Sequence, residues 1–418
     1  MEYSKIAYKL RAKIAGISGE VALKLDKTAR RFTSEAVYGI LTSESVVLTK
    51  IGRTLEDDVS VKKIEERFCR QLGKHHLWER IHQALLRHAS TRMSDEMLLI
   101  LDLSDIQKQY AKKMEYAARV RDGSEGIIGN KGYWTCHVIA TKAESNTMIP
   151  LYQSLYSQDA PDFRSENEEI KKAIALITTH IGSKGIYVID RGGDRGEIFK
   201  PLLSKNIRFI IRLVGDRHLV YNGKRILALE LAEKTKPIYS ETIVRIYQNR
   251  EKVYLIQVGY WAVRLPGYDR QLWLVVVKGF GEKPMMLLTT EPVKRNQVSL
   301  ERIVHGYIKR WSIEETIRFL KQTYDLEDIR LLRYHALQNM MALLLLVFYF
   351  LAVFLDNNQR MLVMAGHILK SAKRVFGIPD FRFYALGDGI SALFERTPGT
   401  LWKKQDLNDP DQITLGFT

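Results

Sequence analysis

Four polar residues recur at fixed spacing in the stretch YIKRWSIEETIRFLK: Tyr307, Arg310, Glu314 and Lys321. On an α-helix, which turns by about 100° per residue, they share an arc of about 60°. A neighbouring apolar stripe would seat such a helix on a core: Ile313, Ile317, Leu320 and Tyr324. The helix is therefore anchored by one flank and presents a row of mixed charge beside it. An ordinary ion pair on a solvated helix gives the same pattern.

Two further carboxylates follow apolar runs of the strand type. Asp102 ends MLLILDL and Asp190 ends GIYVID, and side chains at the carboxyl ends of strands in a sheet with helical crossovers emerge into a crevice. If Glu314 joins them, a divalent cation must neutralise their repulsion. Oxygen ligands favour Mg²⁺ or Mn²⁺ over zinc. A pair of such ions can activate water and stabilise the leaving oxygen at a phosphodiester.

Each carboxylate also has a purely structural interpretation. Asp102 can cap a turn with Ser104, Asp190 can open the loop DRGGDRG, and Glu314 can pair with a neighbouring arginine. Asp105 competes with Asp102 for the first position, although we expect it to lie beyond the end of its strand.

The charge balance favours a polyanionic partner. The 418 residues carry a formal charge of +16 and 46% are hydrophobic, so we expect two or three structural units with a sizeable core. Residues 1–95 hold 18 Lys and Arg against 12 Asp and Glu, or +6, which leaves +10 for the remainder. The basic excess is therefore spread along the chain, and it favours nucleic acid or an anionic membrane surface as the partner.

Cysteine content and hydropathy favour a cytoplasmic protein. Cys69 and Cys136 are too few for a disulfide framework, and the N-terminus lacks the apolar core of a signal peptide. The apolar stretch 340–355 would reach only about 24 Å as a helix, against about 30 Å of hydrocarbon in a bilayer. We therefore predict a buried core helix there and no membrane partner.

The pattern of apolar residues divides the chain. Residues 1–95 have helical spacing, with predicted N-caps listed here: Thr33 or Ser34, Thr42 or Ser43, and Ser60. From Met97 three strands are followed by helix, strand, helix and strand, which predicts a mixed sheet covered by helices. Residues 216–290 are β-rich without predicted helices, and Asn222-Gly223 marks a tight turn. Helix returns near Ser299 and continues through the charged stretch.

These residues resemble a known family. The spacing of Tyr307, Arg310, Glu314 and Lys321 resembles the Y-R-E-K signature of bacterial insertion-sequence transposases of the cut-and-paste DDE class. ILDLSDI and VIDRGGD resemble the first and second aspartate motifs of that family. The resemblance implies an α/β fold, with a ribonuclease-H-like mixed-sheet core that an antiparallel β insertion interrupts, and an all-α N-terminal domain.

The implied domains are a helical DNA-binding domain (1–95), the first part of the catalytic core (96–215), the β insertion (216–295), the second part of the core with the signature helix (296–356), and a C-terminal helical region that serves dimerisation (357–418).

The resemblance also implies roles for six residues. Asp102, Asp190 and Glu314 would form a catalytic triad that binds two Mg²⁺ or Mn²⁺ ions, whereas Tyr307, Arg310 and Lys321 would hold terminal phosphates. The implied enzyme binds the terminal inverted repeats of its element, cuts double-stranded DNA through a hairpin, and joins the ends to target DNA as a homodimer in the bacterial cytoplasm, associated with the nucleoid. Trp261 and Trp273 are candidates for stacking on a flipped base, although both also suit ordinary sheet packing.

Two alternatives stay open at this point. A ribonuclease-H-like nuclease or resolvase would use the same carboxylates without strand transfer. A catalytically idle DNA-binding relative would retain the fold alone, although intact acidic residues at all three positions speak against it.

Overall fold

A ten-stranded mixed sheet runs through the middle of the protein, with helices on its faces. The computed structural model describes residues 3–74, 76–108, 110–121, 128–247, 250–294, 296–356, 362–372 and 381–401. The strand order is β2-β3-β1-β5-β6-β12-β11-β10-β9, with β4 paired to β3. This architecture confirms the predicted α/β class with a ribonuclease-H-like core.

The strands of the core have these bounds: β1 (Leu98–Gln107), β2 (Ala118–Arg121), β3 (Ile128–Thr141), β4 (Met148–Tyr156), β5 (Ile186–Ile189) and β6 (Arg208–Arg212). β1 pairs antiparallel with β3 and parallel with β5, and β5 pairs parallel with β6. The crossovers are α6 (Glu166–Ile181) and α7 (Gly196–Ser204). Every residue of β5 is buried, as expected of a parallel strand covered on both faces.

The β insertion extends the core sheet. Its strands are β7 (His218–Tyr221), β8 (Lys224–Leu227), β9 (Tyr239–Tyr247), β10 (Arg250–Val263), β11 (Leu272–Lys278) and β12 (Met285–Thr289). β12 pairs antiparallel with β6, and β7 and β8 form a separate hairpin. The predicted turn is present, with φ of 48° at Asn222 and 74° at Gly223. The expectation of no helix is wrong, since α8 (Ala228–Lys234) lies in this region.

The charged stretch is two helices, although the sequence predicted one. α9 (Gln297–Ile308) ends before Lys309, and α10 (Trp311–Thr323) begins after Arg310. Asn296 caps α9 by accepting a hydrogen bond of 3.0 Å from the Ser299 amide. The break places Arg310 at the N-terminus of α10, with Glu314 in its first turn.

The apolar stretch forms a core helix. α11 (Tyr334–Tyr349) continues into a π-helical segment (Phe350–Asp356). Residues Tyr334–Leu355 are long and apolar enough to cross a membrane, with a mean hydropathy of 2.1, but 94% of that window is buried inside the protein. The predicted buried helix is therefore present at the centre of the molecule.

Five helices form the N-terminal region: α1 (Tyr3–Val21), α2 (Lys27–Ser43), α3 (Leu48–Arg53), α4 (Val61–Lys74) and α5 (Leu77–Ser90). Their buried residues share one apolar core with the sheet and α11. Two further helices are α12 (Leu362–Ser371) and α13 (Phe383–Arg396), and α13 packs on α1 and α2. The rest of the predicted C-terminal region, at 357–361, 373–380 and 402–418, lies outside the described residues.

Only one of the predicted N-caps precedes a helix. Ser60 stands directly before α4, but Asp26 caps α2 by accepting from the Ala29 amide at 2.8 Å. Thr33 lies inside α2, where its hydroxyl donates to the carbonyl oxygen of Ala29. Its burial explains this alternative use of the hydroxyl.

Candidate active site

The two strand carboxylates lie on neighbouring parallel strands. The register pairs Leu101 with Ile189, so Asp102 and Asp190 are the next residues along strands that lie about 4.8 Å apart. Asp190 follows β5 directly, as predicted. The expectation that Asp102 ends its strand is wrong, because β1 continues to Gln107. Asp190 also fulfils its structural role, since its Oδ1 accepts from the Gly192 amide at 2.7 Å.

Arg310 connects the first aspartate to Glu314. Its Nη1 donates to Oδ2 of Asp102 at 3.0 Å, and its Nη2 donates to Oε1 of Glu314 at 2.6 Å. The Arg310 side chain is 11% exposed and that of Asp102 17%, whereas that of Glu314 is 45% exposed. The structure thus brings one carboxylate of β1 and one of α10 to a single cation.

Burial dominates the electrostatics of Asp102. Burial and the charges of Asp190 and Glu314 raise the pKa of Asp102, and Arg310 lowers it, so that the pKa lies at about 7. Burial lowers the pKa of Arg310, but Asp102, Tyr307 and Glu314 together raise it above its ordinary value. A single guanidinium therefore does not compensate the carboxylates that gather here.

Tyr307 lies on the other side of this cluster. Its side chain is buried, and burial raises its pKa, which the charges of Arg310 and Arg212 and a hydrogen bond with Arg212 lower. The charge of Asp190 acts on the same hydroxyl. Arg212, the last residue of β6, was missed by the sequence analysis, because nothing distinguishes it from Arg208 in the same strand.

Lys321 lies further along α10, at the end of β1. Its Nζ is 3.7 Å from Oδ1 of Asp105 and 3.4 Å from Oε1 of Glu327. Asp105, the rival of Asp102, is buried and pairs with this lysine. It lies within β1, so the expectation that it lies beyond the end of its strand is wrong. Lys321 therefore lies near β1, but it makes its ion pairs away from Asp102.

A buried histidine lies next to Asp102 on the neighbouring strand β3. His137 is the cross-strand partner of Asp102, and its Nε2 lies 2.8 Å from Oγ1 of Thr135. The same hydroxyl also lies within hydrogen-bond distance of the Ser104 carbonyl oxygen. Burial and the charge of Lys321 together lower the pKa of His137 to about 3. His137 is thus a neutral side chain that leaves the nearby carboxylates uncompensated.

The donor set suits a hard divalent cation in kind. Asp102, Asp190 and Glu314 supply carboxylate oxygens, the ligands that Mg²⁺ and Mn²⁺ prefer, and Arg310 shows that a cation fits between two of them. In the described part of the chain, no three His, Cys, Asp or Glu side chains stand close enough together to hold a metal ion. The assignment of the three as metal ligands therefore stays a prediction.

The aromatic residues of the insertion fall into two groups. Trp261 donates its Nε1–H to the Leu231 carbonyl and to Thr235 Oγ1, at 3.0 and 2.7 Å, and Trp273 packs partly buried against the core. A second group joins two aromatic residues of the insertion to Trp311, the first residue of α10. The Phe280 ring centroid lies 5.2 Å from that of Tyr254 and 6.3 Å from that of Trp311, and Trp311 follows Arg310.

Comparison with known proteins places this chain in a family. Residues 93–350, more than half of the chain, match the transposase DDE domain family. No curated protein matches the sequence. The chain is similar to the cryo-EM structure of a piggyBac transposase synaptic complex with hairpin DNA, at 11% identity and a TM-score of 0.44, over 96% of this chain and 84% of that one. The chain therefore belongs to the DDE transposase family, the polynucleotidyl transferases of DNA transposition.

Proposed function

We propose that the protein is the transposase of a bacterial insertion sequence, and that Asp102, Asp190 and Glu314 are its catalytic carboxylates. One observation carries this assignment: Arg310 joins Asp102 to Glu314, while Asp190 follows the neighbouring parallel strand. Arg310 thus joins two acidic residues that are remote in sequence, and the third follows the strand next to that of Asp102. We take this arrangement as support for a catalytic use of all three over a separate structural role for each.

Members of the DDE family generally use a divalent metal, and we propose two Mg²⁺ or Mn²⁺ ions here. Bound ions supply water activation and stabilisation of the leaving oxygen at the phosphodiester. Asp102 and Glu314 would hold them from β1 and α10, and Asp190 from the end of β5. His137, which lies opposite Asp102 on the neighbouring strand, is neutral and adds no positive charge that would repel a metal ion.

The signature residues would hold the DNA strand. Arg310 can fork onto phosphate oxygens, Lys321 supplies a point charge, and Tyr307 offers a hydroxyl. Arg212 adds a second guanidinium next to Tyr307. We propose that these four side chains position terminal phosphates beside the carboxylates.

Cleavage through a hairpin is supported by the second aromatic group. A hairpin on the element end requires a distorted strand, and an unstacked base gains from an aromatic partner. Phe280 contacts both Tyr254 and Trp311, and Trp311 follows Arg310 in the chain. Trp261 is fixed against α8 by the hydrogen bonds that its Nε1–H donates to Leu231 and Thr235. We therefore propose the second group, and Trp311 first, as the stacking surface.

DNA recognition by the N-terminal helices is the remaining part of the proposal. On α4, Ile64, Phe68 and Leu72 are buried, whereas Lys62, Lys63, Arg70 and Lys74 are exposed on the opposite face. A helix with a basic outer face suits the DNA backbone. We infer that this region binds the terminal inverted repeats, that two copies pair the two ends, and that the enzyme works in the bacterial cytoplasm.

The proposal is tested with a supercoiled plasmid that carries the DNA flanking the gene. In Mg²⁺ or Mn²⁺, the purified protein should cut at the ends of the inverted repeats and leave hairpin termini that resist exonuclease. Scattered nicking would indicate a ribonuclease-H-like nuclease or resolvase. Binding without nicking would indicate an idle relative and would overturn the proposal.

A further inference from the structure

Arg310 occupies the place between two carboxylates that a bound cation would need. Its two terminal nitrogens each donate to a different carboxylate, at 3.0 Å to Asp102 and 2.6 Å to Glu314. Its Nε is buried and has no hydrogen-bond partner among the described residues. The guanidinium is therefore held by the negative charge of the two carboxylates and by hydrogen bonds from two of its three nitrogens.

Arg310 and a metal ion would compete for the same two carboxylates. Magnesium requires its oxygen ligands at about 2.1 Å, and an ion at that distance from Asp102 and Glu314 would meet the guanidinium at close range. The repulsion between two cations would then drive Arg310 out. A divalent ion also offers more charge to the carboxylates than the single charge that it replaces.

We propose that Arg310 is the internal cation of the metal-free site, and that metal binding releases its guanidinium to the DNA phosphate. This inference rests on the proposed function, because it takes Asp102 and Glu314 as metal ligands. Arg310 lies at the break between α9 and α10, so its side chain can rotate to another staggered conformation while both helices stay in place. Metal and DNA ends therefore bind cooperatively, since each favours the released arginine.

The first test measures Mn²⁺ binding to the DNA-free protein by titration calorimetry. Arg310→Met removes the competing charge, and we expect it to bind Mn²⁺ at least about tenfold more tightly than the wild type, given the coupling typical of close charge pairs. Arg318→Met is the matched control on the same helix. Arg318 pairs with Glu315 on an exposed surface, so its loss should leave Mn²⁺ affinity unchanged.

Two outcomes of this titration distinguish failure of the proposed exchange, in which a metal ion replaces the Arg310 guanidinium, from failure of the proposed function. Unchanged or weaker Mn²⁺ binding by Arg310→Met, with normal binding by the wild type, overturns the exchange alone. Absence of Mn²⁺ binding in both proteins overturns the metal site as well. Circular dichroism checks folding. If Arg310→Met does not fold, the same titration is made with Arg310→Lys. The shorter lysine side chain has one terminal nitrogen and bridges the two carboxylates less well, so this variant should also bind Mn²⁺ more tightly than the wild type.

The second test measures the coupling itself. Fluorescence anisotropy follows a duplex that represents an already cut element end, so that no cleavage disturbs the measurement. Mn²⁺ should tighten duplex binding by the wild type, and by linkage the duplex should tighten Mn²⁺ binding by the same factor. Arg310→Met should lose this mutual effect. Wild-type protein that binds the duplex equally with and without Mn²⁺ would contradict the proposal.

Discussion

At the scale of single residues, the site bears an electrostatic cost. Asp102 is buried beside Asp190 and Glu314, and its pKa stays near 7 although Arg310 contacts it. The sequence could identify Asp102 and Asp190, because an acidic residue after an apolar run is unusual. It could not predict the bond between Asp102 and Arg310, which are 208 positions apart, because that contact depends on how α10 packs on β1.

Replacing Asp102 should therefore stabilise the metal-free protein. The pKa of this carboxyl rises from 3.8 to about 7 on folding, so above pH 7 the folded state carries a charge that burial disfavours. We expect Asp102→Asn to raise the free energy of unfolding at pH 8 by roughly 3 kcal/mol. The gain should shrink as the pH falls from 7 to 3, because the wild-type carboxyl is protonated in both states only below its unfolded-state pKa of 3.8. Urea denaturation in EDTA at several pH values measures this, and a gain that does not vary with pH would refute it.

At the scale of elements, the sequence predicted those with a strong local pattern. The β7–β8 turn follows from Asn222-Gly223, and β4 has the predicted bounds of 148–156. β12 was not identified, because MMLLT is a short apolar run that is buried throughout and does not alternate. The break between α9 and α10 was missed because KRW contains neither glycine nor proline, so tertiary packing decides it.

A partly buried ion pair joins the insertion to the core beside the pairing of β12 with β6. Arg208 at the start of β6 donates two hydrogen bonds to Glu291, at 2.7 and 2.6 Å, and Glu291 is buried. Arg208→Ala should cost about 2 kcal/mol of unfolding free energy, because it leaves the buried carboxylate unpaired. Arg318→Ala, which removes an exposed pair, should cost under about 0.5 kcal/mol. Equal losses in the two variants would contradict this account of the insertion.

The two aromatic groups should respond differently to substitution. Trp311→Ala should slow hairpin formation by about tenfold or more, the size of one lost base stack, while the protein stays folded. Trp261→Ala should instead lower thermal stability, because it removes two hydrogen bonds and the edge contact with Tyr221. Gel assays of hairpin product, with melting curves for both variants, check this. A hairpin defect confined to Trp261→Ala would reverse the assignment.

At the scale of the whole molecule, the N-terminal helices and the catalytic core are joined through α11. Asn339 is fully buried; its amide donates to the Leu72 carbonyl at 2.7 Å, and its Oδ1 accepts from the Trp78 amide at 3.1 Å. A second connection joins α13 to α2, where the Ser391 hydroxyl donates to the Thr42 carbonyl. The sequence predicted the buried helix from its apolar content. Periodicity also predicted N-terminal helices, but it could not show that they pack on α11.

Breaking this connection should destabilise the entire protein. Asn339→Leu leaves a buried carbonyl and a buried amide without their partner, and we expect a loss of about 2–4 kcal/mol. Gln338→Leu is the neighbouring control. Its amide makes one longer hydrogen bond, of 3.4 Å to Leu155, and its loss should cost under about 1 kcal/mol. Urea denaturation followed by circular dichroism compares the two, and a smaller loss for Asn339→Leu than for its neighbour would contradict this role of α11.

The most direct measurement of the central claim compares DNA cleavage and DNA binding in three variants: Asp102→Ala, Asp190→Ala and Glu314→Ala. A labelled duplex carrying the element end is incubated with each protein in Mn²⁺, while anisotropy in metal-free buffer measures binding. We predict that each variant loses cleavage but retains metal-free binding, because removing a negative charge does not weaken attraction to phosphate. Cleavage at the wild-type rate by any of the three would contradict the assignment of that carboxylate.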